Sequence, residues 1–97
     1  MIETLTYEFP ANEGVQHRAH VGVVASGNCE ILLEPAPEGR SSIVVRTSVS
    51  GFGATWQAVL GRFFTRNPVA VQIEINDFGA TPAVVSLRLE QALESAH

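Results

Sequence analysis

The chain has 97 residues, 45% of them apolar, which is enough for the core of one domain and argues against disorder. Its formal charge is −4 and every basic residue is arginine, so nucleic acid and anionic membranes are disfavoured as main partners. No apolar run approaches the roughly 20 residues of a membrane span, and no signal peptide is recognisable. We therefore expect a single domain over residues 1–97, resident in the cytoplasm.

The first half of the chain predicts four β-strands. Leu5, Tyr7 and Phe9 alternate with polar residues, which is typical of a strand with one buried face, and Pro10 ends it. A turn rich in proline and glycine is predicted at 35–39. The other predicted strands cover residues 18–25, 29–34 and 43–47.

The turn Ser26-Gly27-Asn28 joins the second and third predicted strands. Gly27 and Asn28 both tolerate positive φ, which favours a hairpin turn. Such a turn places the Ser26 hydroxyl at the exposed end of the hairpin, where it can receive a covalent group. Because the same residue types dominate ordinary turns, the turn alone does not separate a modified serine from a plain connection.

A helix is predicted over residues 54–66, because apolar residues recur there with a period of 3.6. Ser50 or Gly53 is the expected N-cap, and Asn67-Pro68 is the expected end. The apolar stripe of this helix consists of Trp56, Val59, Leu60, Phe63 and Phe64.

The last part of the chain predicts one more strand and one more helix. Val71, Ile73 and Ile75 alternate with polar residues, and Thr81-Pro82 is a typical helix start. Residues 83–96 fit either period, but their composition favours helix. The order ββββαβα predicts an α+β domain with a mostly antiparallel sheet of about five strands and two helices on one face.

Other candidate sites have simpler interpretations. Asp77-Phe78-Gly79 matches a kinase magnesium motif in letters only, and a turn after a strand is favoured. His17 and His20 would point to opposite faces of a strand, so no shared metal ion is expected. The lone Cys29 is predicted to pack as a small apolar side chain. No Ser/His/Asp or paired-acid set stands out, so no catalytic residue is assigned and an autonomous hydrolase is disfavoured.

Two stretches of the chain, Ser26-Gly27 and the block from Asp77 to Pro82, form a specific pattern. Further marks of it are Glu3-Thr4-Leu5, Phe9-Pro10, Val21-Gly22, Glu30, Leu32-Leu33-Glu34-Pro35, Thr47-Ser48-Val49, Trp56-Gln57, Arg62 and Leu87-Arg88-Leu89-Glu90-Gln91. In these residues, over nearly the whole length, the chain resembles the acyl-carrier (delta) subunits of bacterial malonate decarboxylase and, more distantly, the gamma carrier subunit of citrate lyase.

The resemblance implies a non-catalytic carrier in which Ser26 bears 2'-(5''-phosphoribosyl)-3'-dephospho-CoA through a phosphodiester, while Gly27 and Asn28 shape the turn. The family usually has Asp where this chain has Asn28, which leaves the turn geometry feasible but removes a charge that the attaching enzyme could recognise. The thiol of the arm would carry acetyl and malonyl thioesters.

The implied partners are the acetyl-S-carrier:malonate transferase and decarboxylase subunits, a malonyl transferase and a prosthetic-group transferase. The alternative is a structural or interaction subunit without a covalent arm, which would depend on surface residues such as Phe52 or Arg40.

Overall fold

A computed structural model describes residues 2–37 and 39–97, so Met1 and Glu38, the latter in the predicted 35–39 turn, lie outside the described residues. The described chain forms five strands and two helices in the predicted order ββββαβα. The elements are β1 (Glu3–Pro10), β2 (Ala19–Gly22), β3 (Asn28–Pro35), β4 (Arg40–Thr47), α1 (Gly53–Arg66), β5 (Val71–Phe78) and α2 (Pro82–Ala96).

The strands form one mixed sheet in the order β1-β4-β5-β3-β2. Three of the four pairings are antiparallel, and only β4 and β5, which α1 connects, run parallel. Because a parallel pair needs a crossover, α1 crosses one face of the sheet between these two strands. The predicted fold class is confirmed.

Both helices pack on the same face of the sheet, where the core lies. In α1 the buried residues are those that the helical period predicts, including Trp56 and Phe63, and α2 buries residues such as Leu89 and Ala92. The helix α2 covers β2 and β3, whereas α1 contacts β1 and α2. The opposite face is open and carries ion pairs such as Arg46 with Glu74. Neither helix has the length and apolarity needed to cross a membrane.

The second strand is shorter than the sequence predicts, and this changes the turn. The ladder between β2 and β3 ends where Gly22 pairs with Glu30, and Val23 and Val24 are exposed instead of extending the strand to residue 25. Gly22 has a φ of +78°, which turns the chain out of the sheet. Five residues, 23–27, therefore lie between the two strands.

Two smaller predictions are wrong in detail. The N-cap of α1 is Phe52, without a side-chain cap bond, so neither Ser50 nor Gly53 caps it. Asp77 and Phe78 are the last residues of β5, so the turn comes at Gly79, whose φ is +87°. The second helix start is confirmed, because the Thr81 hydroxyl accepts a hydrogen bond from the Val84 N–H.

Candidate functional site

Ser26 lies on an exposed β-turn at one end of the sheet. The Asn28 N–H donates to the Ala25 carbonyl over 2.9 Å, and Gly27, at the third turn position, has a φ of +74°. A type II turn requires positive φ at that position, which explains the glycine. The Ser26 side chain is exposed, and its hydroxyl has no partner among residues 2–37 and 39–97.

The turn is fastened to the end of the neighbouring strand β5. The Gly27 N–H donates to the Phe78 carbonyl over 2.7 Å, and an isolated bridge joins Asn28 to Gly79. Of the three predicted turn residues, Asn28 therefore belongs to β3 and does not have positive φ. Its strand pairing holds one end of the turn, while Ser26 stays in solvent.

Gly22 anchors the other end of the loop. A Cβ at this position would lie 2.0 Å from the Cys29 carbonyl oxygen, so a side chain has no room there. At Gly27, in contrast, no described residue beyond its chain neighbours Ser26 and Asn28 comes within 4 Å of the place that a Cβ would take, which leaves open space beside Ser26. One glycine is thus required for packing and the other leaves access to the hydroxyl.

Asn28 connects the turn to the second helix. Its side-chain oxygen accepts from the Cys29 N–H over 2.8 Å and from Arg88 Nε over 3.2 Å. Arg88 also donates to Gln91 over 2.9 Å, and among the described residues no carboxylate pairs with its guanidinium. A half-buried positive charge therefore lies directly beneath the turn.

A buried carboxylate shapes the chain behind the turn. Asp77 is 3% exposed, and it accepts from the Thr47 hydroxyl over 2.8 Å and from the Gly79 and Ala80 N–H groups over 3.3 and 3.0 Å. These bonds satisfy a charge that would be costly to bury alone. They also hold Gly79 in place, and Gly79 lies close to Gly27 in space.

Cys29 lies fully buried under the loop, as the sequence predicts for a packed apolar side chain. Burial, with a smaller contribution from the nearby Asp77 carboxylate, raises the pKa of its thiol to about 11, against an opposing effect of Arg88. At neutral pH the thiol is protonated and inaccessible. Its role is therefore packing and not nucleophilic chemistry.

The structure brings together the predicted residues Ser26, Gly27 and Asn28, but the residues that hold the turn were not assigned from sequence. Gly22 interrupts an apolar run, which is a usable signal for a close backbone approach. Arg88 lies 60 positions from Asn28, so nothing local indicates their contact. His17 and His20 are both exposed, and within the described ranges no three metal-ligating side chains cluster.

The sequence matches known proteins over nearly the whole chain. The family model "Malonate decarboxylase delta subunit (MdcD)" matches residues 16–96. The malonate decarboxylase acyl carrier protein of Azotobacter vinelandii is 53% identical over 96% of this chain and 95% of its own. That of Xanthomonas euvesicatoria is 59% identical over 96% and 93%.

A solved structure agrees with these sequence relatives. One chain of the crystal structure of a Pseudomonas malonate decarboxylase hetero-tetramer in complex with malonate superposes with a TM-score of 0.93 at 51% identity. The match covers 98% of this chain and 99% of that one. The fold is therefore shared with that chain over nearly the whole length of both.

Proposed function

The chain belongs to the malonate decarboxylase delta subunit family, and on that premise we propose that it is the acyl carrier of such a decarboxylase, with Ser26 as the attachment residue. The arm is 2'-(5''-phosphoribosyl)-3'-dephospho-CoA, joined to the Ser26 oxygen by a phosphodiester. The observation that carries the proposal is an exposed hydroxyl, free of hydrogen bonds within the described chain, on a turn fastened to β5.

The residues around Ser26 fit such a group. Gly27 leaves open space beside the hydroxyl, so an attaching enzyme can approach the backbone closely. The guanidinium of Arg88 beneath the turn has neutral partners, Asn28 and Gln91, and contributes a positive potential that favours a phosphodiester. Val23 and Val24, more than half exposed, offer an apolar rim on the same loop.

The chain itself holds and presents the arm. When bound, the arm supplies a terminal thiol that carries acetyl or malonyl as a thioester. The turn at Ser26 gives it a fixed base because backbone bonds to Phe78 and Ala25 restrain Gly27 and Asn28. A fixed base with a mobile arm keeps the acyl group at an effective concentration of about millimolar near each partner site within reach.

The acyl transfers and the decarboxylation require partners. We propose that these are the acetyl-S-carrier:malonate transferase and decarboxylase subunits, a malonyl transferase, and a transferase that attaches the arm. The related Pseudomonas chain comes from a hetero-tetramer, which supports assembly with other subunits. A cytoplasmic location fits the free thiol of Cys29.

Intact mass spectrometry tests the attachment. Protein produced together with its transferase should gain one adduct of the mass of the arm, and Ser26→Ala should abolish it. Ser50→Ala is a matched control, since Ser50 is also exposed and also precedes a positive-φ glycine, Gly51, with open space around it. The control should keep the full adduct, because Ser50 lies on a different loop.

The same variants distinguish the carrier function from the alternative function. If the chain were a structural or interaction subunit without an arm, Ser26→Ala would leave decarboxylase activity of the assembled complex unchanged. Unmodified protein that supports full activity would contradict the carrier proposal. Loss of activity in Ser26→Ala with normal assembly, measured by size-exclusion chromatography, is the expected result.

A further inference from the structure

A cavity of about 440 Å³ opens at the end of the sheet that bears Ser26. It lies between the start of α1, the start of α2 and the ends of β4 and β5. This volume falls in the range of about 300–1,000 Å³ that small-molecule sites have. Its apolar and aromatic lining includes Val49, Phe52, Trp56, Val59, Ala80 and Val85.

One residue of the cavity wall, Gly79, lies against the Ser26 turn. A Cβ on Gly79 would lie 3.9 Å from the Gly27 nitrogen. The Asp77 bonds to the Gly79 and Ala80 N–H groups hold this wall in place. A wall residue of the cavity therefore lies against the Ser26 turn, and a group attached at Ser26 starts at the same end of the sheet.

Two apolar side chains at the opening of the cavity are not buried in the core. Phe52 is 50% exposed and Val49 is 39% exposed, although both are apolar and lie on the loop that precedes α1. Thr55, which carries a hydroxyl, is also exposed and lines the same space. An aromatic surface with a nearby hydroxyl suits a flat heterocycle, which stacks on its face and hydrogen-bonds at its edge.

We propose that this cavity receives the adenine of the arm, an inference that rests on the attachment of the arm to Ser26. In 2'-(5''-phosphoribosyl)-3'-dephospho-CoA the adenosine follows the linking phosphoribosyl group, whereas the thiol is at the far end of the pantetheine. Only the phosphoribosyl group thus separates the adenosine from Ser26, and this apolar cavity lies at the same end of the sheet. Docking the base shortens the mobile part to the diphosphate and pantetheine, and leaves the thiol free for partner sites.

Nuclear magnetic resonance of the full chain, with and without the arm, tests this docking directly. Attachment should shift the methyl resonances of Val49, Val59 and Val85, and the adenine protons should show contacts to these methyls. Phe52→Ala should lower the ratio of docked to undocked base by on the order of fivefold or more, as expected for loss of one aromatic stacking partner. The backbone role of Phe52 at the start of α1 is kept in this variant.

Leu87→Ala is the matched control. Leu87 is 52% exposed, close to the exposure of Phe52, but it does not line the cavity. Its substitution should leave the adenine contacts unchanged.

Mass spectrometry of the same samples separates the two levels of the hypothesis. An adduct on Ser26 with cavity resonances identical to those of the bare protein would overturn the adenine site and leave the carrier function standing. Cavity shifts that appear only on addition of the partner subunits would likewise overturn it, because the cavity would then be a protein contact. Absence of any adduct would remove both proposals together.

Discussion

Two Ser-Gly turns project from the same end of the sheet, and only one of them has the surroundings of an attachment site. Ser26-Gly27 and Ser50-Gly51 are both exposed, both glycines have positive φ, and both leave open space where a Cβ would be. The Gly27 N–H donates to a strand carbonyl over 2.7 Å, whereas the acceptor of the Gly51 N–H within the described residues is the carboxylate of half-buried Glu3, over 3.3 Å.

What lies beneath the two turns differs as well. The Ser26 turn rests on buried Cys29, on the close approach of Gly22, and on the bond between Asn28 and Arg88. A dipeptide therefore does not define the site. The site is defined by the contacts that hold Ser26 outward. Substitutions can weaken or strengthen these contacts, and the Ser50 turn serves as an internal reference.

Removing the close approach should have the largest effect. We expect Gly22→Ala to destabilise the fold by about 3–5 kcal/mol, because positive φ costs roughly 1–2 kcal/mol and the new Cβ also forces the backbone away from the Cys29 carbonyl. A loss of this size lowers the melting temperature of a domain of this length by roughly 15–25 °C. Thermal and urea unfolding would measure it.

Gly51→Ala isolates the part of this effect that comes from φ alone. Gly51 has a φ of +90°, and no described residue beyond its two chain neighbours comes within 4 Å of the Cβ position, so its substitution should cost only about 1–2 kcal/mol. Equal losses for the two variants would show that the contact between Gly22 and Cys29 does not support the loop.

The sequence predicts the local elements of this chain better than it predicts the loop after Gly22. The stripe of α1 and the alternation in β1 and β5 are local periodicities, so they predict the correct elements and their buried faces. Val23 and Val24 read as strand because they are β-branched, but the Gly22 conformation takes them out of the ladder. No local pattern encodes that conformation fully, since it depends on the pairing register.

In the candidate site, the turn itself is predictable from the sequence, whereas the contacts that support it are not. The exposed turn at Ser26 follows from residue types that favour turns, and its exposure is as the sequence predicts. Its support depends on contacts between distant positions, such as Asn28 with Arg88 and Thr47 with Asp77. These partners have no fixed spacing in sequence, so only the assembled fold shows them.

Raising the pH should weaken the support beneath Ser26 by a smaller amount. The pKa of Cys29 rises from its ordinary value near 9 to about 11 in the folded chain, so the unfolded chain loses this proton first. Between these values the native state binds more protons, and the free energy of unfolding falls as pH rises, by roughly 3 kcal/mol in total. Below pH 9 this contribution is fully present.

Urea unfolding from pH 8 to 11 would measure this slope, with Cys29→Ala as the control. The variant lacks the thiol, so the difference in stability between the two proteins should shrink over this interval and stay constant below it. Because burial also raises the pKa of Tyr7, with help from Glu3, both proteins share the decline from that group and only their difference is diagnostic. If the difference in unfolding free energy between the two proteins stayed constant up to pH 11, the buried thiol of Cys29 would not have a raised pKa.

The smallest expected effect is a strengthening of the support. Asn28→Asp replaces a neutral acceptor with a carboxylate facing Arg88 Nε, which now lies 3.2 Å from the Asn28 oxygen. A charge-assisted bond in this half-exposed position should add about 0.5–1 kcal/mol, with less gain at high salt. The buried Asp77 carboxylate near Cys29 opposes part of this gain, because it carries the same charge.

Amide hydrogen exchange would resolve this change at the two turns. Protection of the Gly27 N–H, which donates to Phe78, should rise in Asn28→Asp, while the Gly51 N–H should exchange as before. The gain should disappear when Arg88→Met is added, since the carboxylate then has no cation to face. A gain that survives in the double variant would mean that the turn geometry alone responds to the carboxylate, and that Arg88 acts on the Ser26 loop through packing and not through its charge.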